Sequence, residues 1–362
     1  MRVVILTVLL LGLSTGLANA ADWWNSISVF GDLRYRHEMI DEEGKDTRNR
    51  HRIRARLGVD GDVNERIKVR VQLATGSDDP VSTNQTLDNG FSTKDLRLDL
   101  AYFQMTHEKL PGWKLTAGKF KNPFYKPGSS ELLWDSDFNP EGGAIHFSQD
   151  IDDFSVSLIG SGLYIEERSS DEDSYLAAAE GVLGYDFNDG LSSVSVGGGY
   201  FEYVNTSGFG PFYDADEPMG NSVDANGMYL NDYQLVELFA EFTHKFETVP
   251  VVVMGDFVTN TGADSLDTGW LVGLRVGKKD SPGSWDFRYI YREVEKDAVL
   301  GTFTDSDFRG GGTDAKGHEI GGGVKVMKNA DFNVSYFVNT IGIDAEELDF
   351  NRLQVDLQLK FK

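Results

Sequence analysis

Arginine falls on every second residue at Arg48, Arg50, Arg52, Arg54 and Arg56, within RNRHRIRARLG. After a short polar gap the pattern resumes at Arg66, Lys68 and Arg70. Arg34 and Arg36 lie upstream and Arg97 downstream. Guanidinium groups repeated along one line attract carboxylates and phosphates, and their fields add. A second charged set lies in KNPFYKPGSSELLWDSDFNPEGG, where Glu131, Asp135, Asp137 and Glu141 stand beside Leu132, Leu133, Trp134 and Phe138. Other chemistry is thinly represented. HEMID at His37 lacks the second histidine of a zinc protease motif, and no G-x-S-x-G or phosphate-binding loop is present. There is no cysteine, which removes the thiolate zinc motifs. The loops DADEPMG (Asp214, Asp216, Glu217) and DSDFRGGGTD (Asp305, Asp307, Asp314) do not match a calcium loop, and read as surface acids that meet divalent ions loosely. No enzyme activity, no metal site and no cofactor are expected.

The period of the basic residues identifies the element that carries them. A helix turns about 100° per residue and would scatter this spacing around its circumference, whereas a strand sends alternate side chains to opposite faces. Arg48–Leu73 therefore reads as two strands joined by a tight turn at DGDVNE, with Ile53, Leu57, Ile67 and Val71 on the face away from the basic groups. DLRLDLAYF continues the alternation, with Leu96, Leu98, Leu100 and Tyr102 on one face and Asp95, Arg97, Asp99 and Ala101 on the other. NRLQVDLQLKFK carries it to Phe361. About 16 strands of about 8 to 14 residues can be counted, with Gly at 40 positions diluting several. Their connections alternate longer and shorter, as an up-and-down meander with one smooth end would.

The chain opens with Arg2, an apolar run from Val3 to Leu13 and Ala18-Asn19-Ala20, the layout of a cleaved secretory signal peptide over 1–20. No later segment reaches the ~20 apolar residues of a spanning helix. Together these predict an all-β fold: an antiparallel up-and-down transmembrane barrel over 21–362, with short periplasmic turns and long extracellular loops. Apolar side chains would face lipid and the ten basic residues Arg34, Arg36, Arg50, Arg52, Arg54, Arg56, Arg66, Lys68, Arg70 and Arg97 would face the lumen. Trp113, Trp285, Phe246 and Phe361 beside the short turns suit an interfacial aromatic girdle. The formal net charge of -24 argues against a nucleic-acid partner. The 121–141 link holds too many large apolar residues for an exposed loop. It is expected to fold into the lumen as a constriction, with Glu131, Asp135, Asp137 and Glu141 facing the basic wall; packing outside the barrel is the other arrangement.

The segments RHRIRARLG, LATGSDDPVSTNQTL, LDLAYF, LTAGKFKNPFY and LLWDSDFNPEGGAIHF resemble a family of porins of Gram-negative outer membranes, most densely from Asp32 to Phe147. The resemblance implies an outer-membrane channel in contact with lipid and lipopolysaccharide, and supplies no ligand or catalytic residue. Barrels of this kind commonly end on an aromatic residue read by the barrel-assembly machinery; here Phe361 is followed by Lys362. The expected function is passive diffusion of small hydrophilic solutes and ions through a water-filled lumen, with a homotrimer by analogy with other 16-stranded porins. A solute-specific anion channel and a non-conducting surface or adhesin barrel are the alternatives.

Overall fold

The computed structural model describes residues 26–362, so the signal peptide expected at 1–20 lies outside the described residues. All strands belong to one sheet of seventeen segments, one of which, Gln85–Thr86, has two residues. The other sixteen are β1 (Ile27–Glu42), β2 (Arg48–Asp62), β3 (Ile67–Thr75), β4 (Leu96–His107), β5 (Leu110–Lys119), β6 (Glu141–Ile151), β7 (Phe154–Glu166) and β8 (Ser174–Phe187), then β9 (Ser192–Val204), β10 (Tyr233–Phe246), β11 (Val249–Asn260), β12 (Thr268–Gly277), β13 (Trp285–Val294), β14 (Ala315–Met327), β15 (Ala330–Ile341) and β16 (Leu348–Phe361). Each pairs antiparallel with its sequence neighbour. β1 pairs with both β2 and β16, which closes the sheet into a barrel and leaves no long edge. β3 is too short to cover the whole of β2. The Gln85–Thr86 segment supplies the missing partner by pairing with Arg52 and Ile53.

The two faces of this sheet are inverted relative to a water-soluble protein. Val29, Leu33, Leu57, Val71, Leu183, Leu238, Val253, Val272, Ile320 and Leu357 point outward and are exposed. Arg36, Glu38, Arg54, Glu180, Glu237, Asp256, Arg292, Glu319 and Arg352 are buried inside. An apolar belt of this extent around a charged interior is the arrangement of a barrel in hydrocarbon. Trp113, Trp285, Phe246 and Phe361 are exposed on strands next to the short turns.

Register shifts occur at four places in the sheet, and the one in β4 reverses the faces within the strand. In β4 the register shifts between Gln72 and Leu73 of β3, which pair with Leu100 and Leu98. The extra residue, Asp99, forms a β-bulge, and a bulge reverses the faces of everything beyond it. Leu96 and Leu98 remain outward, but Leu100 is 0% exposed, Tyr102 is half-buried, and Phe103 and Met105 take the outward positions. The expectation that Leu100 and Tyr102 share the outer face is corrected accordingly.

The apolar core lies inside the barrel, where long loops pack onto the wall. The loop at 120–140 contributes Phe120, Phe124, Leu132, Leu133 and Trp134; the loop at 205–232 contributes Phe212 and Tyr229; the loop at 295–314 contributes Val299, Leu300 and Phe303. They meet the inward-facing Phe201, Tyr203, Leu235, Leu271 and Ile290. Trp134 stacks on Phe138 at 5.3 Å and meets Phe201 edge-on at 5.5 Å.

Val253 lies mid-strand on the outer face, between Phe242 and Leu274, and is 51% exposed. Val253→Arg is expected to cost about 2–4 kcal/mol, the penalty of a cation on the lipid face near the midplane. Urea unfolding in lipid vesicles checks this; an unchanged midpoint would mean that this face does not contact hydrocarbon.

Candidate functional site

The basic wall is built by the pairing of β1 with β2. Register sets Glu38 opposite Arg50, Arg36 opposite Arg52, Arg34 opposite Arg54 and Asp32 opposite Arg56. Arginines facing each other across a ladder repel, and nearby acids offset most of them. Asp32 accepts from Arg54 Nη2 at 2.9 Å and Arg56 Nε at 2.7 Å. Asp356 of β16 takes a bidentate pair from Arg36 at 2.7 and 2.8 Å and lies 3.9 Å from Arg34. Glu38 pairs with Arg50 and with Arg352. Arg70 pairs with Asp60 at 2.5 Å. Arg52 has no carboxylate within ion-pair distance among the described residues, and its Nε is buried without a partner.

Three of the ten expected basic residues sit apart from this wall. Arg66 lies in the β2–β3 turn and pairs with Glu108 of the next short turn, both largely exposed. Lys68 pairs with Asp62 at the same rim. Arg97 stands at the long-loop rim beside Asp95. Alternation continues into a turn in the sequence, but the strand stops before it.

The 120–140 loop runs through the interior. Its tip is pinned on both sides: Glu241 of β10 accepts from Gly128 N at 2.5 Å, and Arg275 of β12 donates to Gly128 O at 2.9 Å. Gly128 has φ +56°, and a Cβ there would meet Met254 Sδ at 2.1 Å, so a side chain at the tip would be strained and would displace Met254. Asp137 reaches the basic wall, 3.5 Å from Arg56 and 4.0 Å from Arg54, and accepts from Thr83. Burial opposes its charge, but the Arg54 and Arg56 guanidiniums hold its carboxyl down at about 2. Glu141 differs from the expectation. It is the first residue of β6, largely exposed, and pairs with Lys119 instead of joining the inserted loop.

The 295–314 loop enters the barrel as well, and its acids are not the surface groups that their sequence suggested. Asp305 is buried against Arg292 at 2.6 Å. Asp307 lies 3.2 Å from both Arg36 and Arg352, which hold its carboxyl well below the ordinary value against the opposing effect of burial. Asp314 is buried, whereas Asp214, Asp216 and Glu217 stay exposed. The two inserted loops share the string DSDF, at Asp135–Phe138 and Asp305–Phe308. In each, the first Asp accepts from the backbone N of the second, at 2.7 and 2.8 Å, and the second turns to the arginine wall. The loops also bond to each other: Asp135 N donates to Phe303 O, and Ser306 N donates to Asp135 Oδ2, both at 2.9 Å. This repeated string is the signal that could have located the second loop.

Behind the loops, Glu131, Asp135 and Asp305 bring carboxylate oxygens within 4.8 Å of one another. Such a cluster can hold a cation or protons. Burial and then the Asp305 charge push Glu131 up to about 8, and burial and then Glu131 push Asp135 well above its ordinary value. Raised proton affinity at Glu131 and Asp135, with the Arg292 guanidinium on Asp305, lowers the charge that the cluster presents.

Two cavities of about 600 Å³ flank Asp137. The one toward the long loops includes Asp78, Asp79, Asp99 and Phe138 in its lining. The one toward the short turns includes Arg54, Arg56, Arg70, Lys121 and Lys360.

A family model described as "Putative porin" matches residues 40–226 and 212–361. No curated protein matches the sequence. Among solved structures, OprB of Pseudomonas putida is similar at 10% identity and a TM-score of 0.60, covering 94% of this chain and 95% of that one. Salmonella typhi OmpF, in a complex with daunomycin, is similar at 12% identity and a TM-score of 0.57, covering 92% and 97%. A Rhodopseudomonas blastica porin mutant is similar at 12% identity and a TM-score of 0.51, covering 92% and 100%. These structures share the fold. The family match spans nearly all of the described barrel, and by it the chain belongs to this porin family, as an outer-membrane channel of Gram-negative type.

Proposed function

We propose that the chain forms a water-filled channel for passive diffusion of small hydrophilic solutes and ions, and that the narrow point lies where Asp137 meets Arg54 and Arg56. The observation that carries this reading is that Asp137 borders both cavities while ion-pairing with the wall. Solutes would be filtered there by width and by how their charge or dipole aligns with adjacent opposite charges. Arg34, Arg36, Arg50, Arg52 and Arg70 extend the basic lining, and Arg66, Lys68 and Arg97 lie at its two rims. Glu131 and Asp135 act from behind as the loop's anchor, and Glu141 acts at the outer mouth. A homotrimer in the outer membrane, contact with lipopolysaccharide, and recognition of β16 by the assembly machinery complete the proposal. Trimerisation rests on analogy of fold.

Reversal potentials in planar bilayers under a salt gradient test the selectivity. Neutralising Arg52, Arg54 and Arg56 together to Gln is expected to shift the potential toward cations, because Asp32 and Asp137 lose their counter-charges. An unchanged potential would remove these side chains from the conduction path. Asp137→Asn is expected to shift it the opposite way, since two guanidiniums are released.

The anchor has its own pH signature. The folded protein keeps a proton on Glu131 up to about pH 8, which the unfolded chain releases near the ordinary 4.5. The stability from this group is greatest below pH 4.5 and falls as pH rises through the interval to about 8. Asp135 acts in the same direction. The temperature at which the folded band converts to the unfolded band on gels should therefore drop between pH 5 and pH 8 in the parent, less in Glu131→Gln, and least in Glu131→Gln combined with Asp135→Asn. Equal drops in all three would place the protons elsewhere.

A further inference from the structure

The cavity toward the long loops combines features that ion filtering does not need. Its floor is aromatic: Phe138 and Phe303 lie 4.9 Å apart, and Tyr203 lies nearly parallel to Phe303 at 6.4 Å. These rings come from the two inserted loops and the wall. Of its seven acids, Asp137, Glu141 and Glu166 are ion-paired; the other four are Asp78 and Glu167, exposed at the rim, Asp79, half-buried, and Asp99, deep at the β4 bulge. None of these four has a lysine or arginine within ion-pair distance among the described residues. Asp79 accepts from Val81 N at 2.9 Å, and Asp99 accepts from the amides of Gln72 and Asn139, both at 2.6 Å. The cations of the lining, Arg97 and Lys119, are engaged by Asp95 and Glu141.

Asn139 supplies an independent observation. It lines the cavity and is 6% exposed. Its Nδ2 donates to Asp99, which fixes the orientation of the amide, because the flipped amide would set oxygen against carboxylate. Asn139 Oδ1 is then a buried acceptor with no donor. A buried acceptor left unsatisfied is costly and favours a ligand that brings N–H groups.

We propose that this cavity is a binding site for organic ammonium ions that carry an apolar or aromatic body. The unpaired carboxylates would hold the ammonium group, Asn139 Oδ1 is an unfilled acceptor beside the deepest of them, and the apolar body would lie on the Phe138–Phe303–Tyr203 floor. A metal cation would leave the rings unused, a neutral apolar molecule would desolvate the carboxylates without compensation, and an anion would be repelled. The proposal deepens the diffusion reading by naming a class of solute held before the narrow point, and it rests on that reading only for the passage that follows.

Titration calorimetry on the full-length protein folded in detergent micelles tests the site without reference to conduction. The probes are phenethylammonium, methylammonium and 3-phenylpropionate. Phenethylammonium is expected to bind saturably, methylammonium more weakly, and 3-phenylpropionate not at all. Raising the salt concentration should weaken phenethylammonium binding. Asp78→Asn with Asp79→Asn, in a loop outside the barrel ladder, should lower phenethylammonium affinity by about tenfold while the folded band on gels is retained. Equal binding of the ammonium and the carboxylate overturns the proposal, as does an affinity unchanged in the double variant. Conductance of the same preparation in potassium chloride separates the two readings. A conducting channel that binds no amine sinks the site alone, and a non-conducting barrel that binds it with the expected discrimination sinks diffusion and supports the site.

Discussion

The exclusion of charge from hydrocarbon is the constraint on which the rest of this structure depends. A barrel that presents Val253, Leu183 and Leu357 to lipid must keep charged strand residues off that face, in the lumen or at the rims. In this chain that requirement gathers Arg34, Arg36, Arg50, Arg52, Arg54, Arg56 and Arg352 onto neighbouring strands. Buried charges persist only when paired and hydrogen-bonded. The interior is therefore organised around the delivery of carboxylates to that wall.

Some of those carboxylates come from the wall itself, as with Asp32 and Asp356, and the rest arrive on loops. Asp137 and Asp307 are presented by the same local turn in two loops that are distant in sequence and bonded to each other in space. The large apolar residues of these loops, Leu133, Trp134, Leu300 and Phe303, pack on one another and on Phe201 and Tyr203. Hydrophobic burial inside the barrel thus positions the acids, and the acids in turn neutralise the arginines. On the proposed reading, the narrow point is where these two requirements meet. The acidic lining on one side of Asp137 and the basic lining on the other then give the channel a field along its axis as well as across it.

Much of this was legible in the chain. Arginine at every second residue fixes a strand and its faces, because only a period of two separates Arg50, Arg52, Arg54 and Arg56 from Ile53, Ala55 and Leu57. Alternating connection lengths fix the meander. The crowding of Leu132, Leu133, Trp134 and Phe138 in one link announces a loop that needs something to pack against. Spacing alone misplaces a few residues. Arg66 continues the alternation into a turn, Glu141 belongs to the strand after the loop, and Asp99 takes an extra position that no spacing rule marks.

What the sequence determined by itself is the local geometry: strands, faces, turns and the apolar content of the loops, all set by residue type and near neighbours. Only the tertiary structure decided which acids meet which arginines. That choice depends on barrel closure, which places β16 beside β1 and so Asp356 against Arg36. It also depends on two loops entering one lumen together, which turns Asp305 and Asp307 from apparent surface acids into buried counter-charges. Electrostatic partnership falls with distance through space, and in this barrel the decisive partners, Arg36 with Asp307 and Arg54 with Asp137, are far apart along the chain.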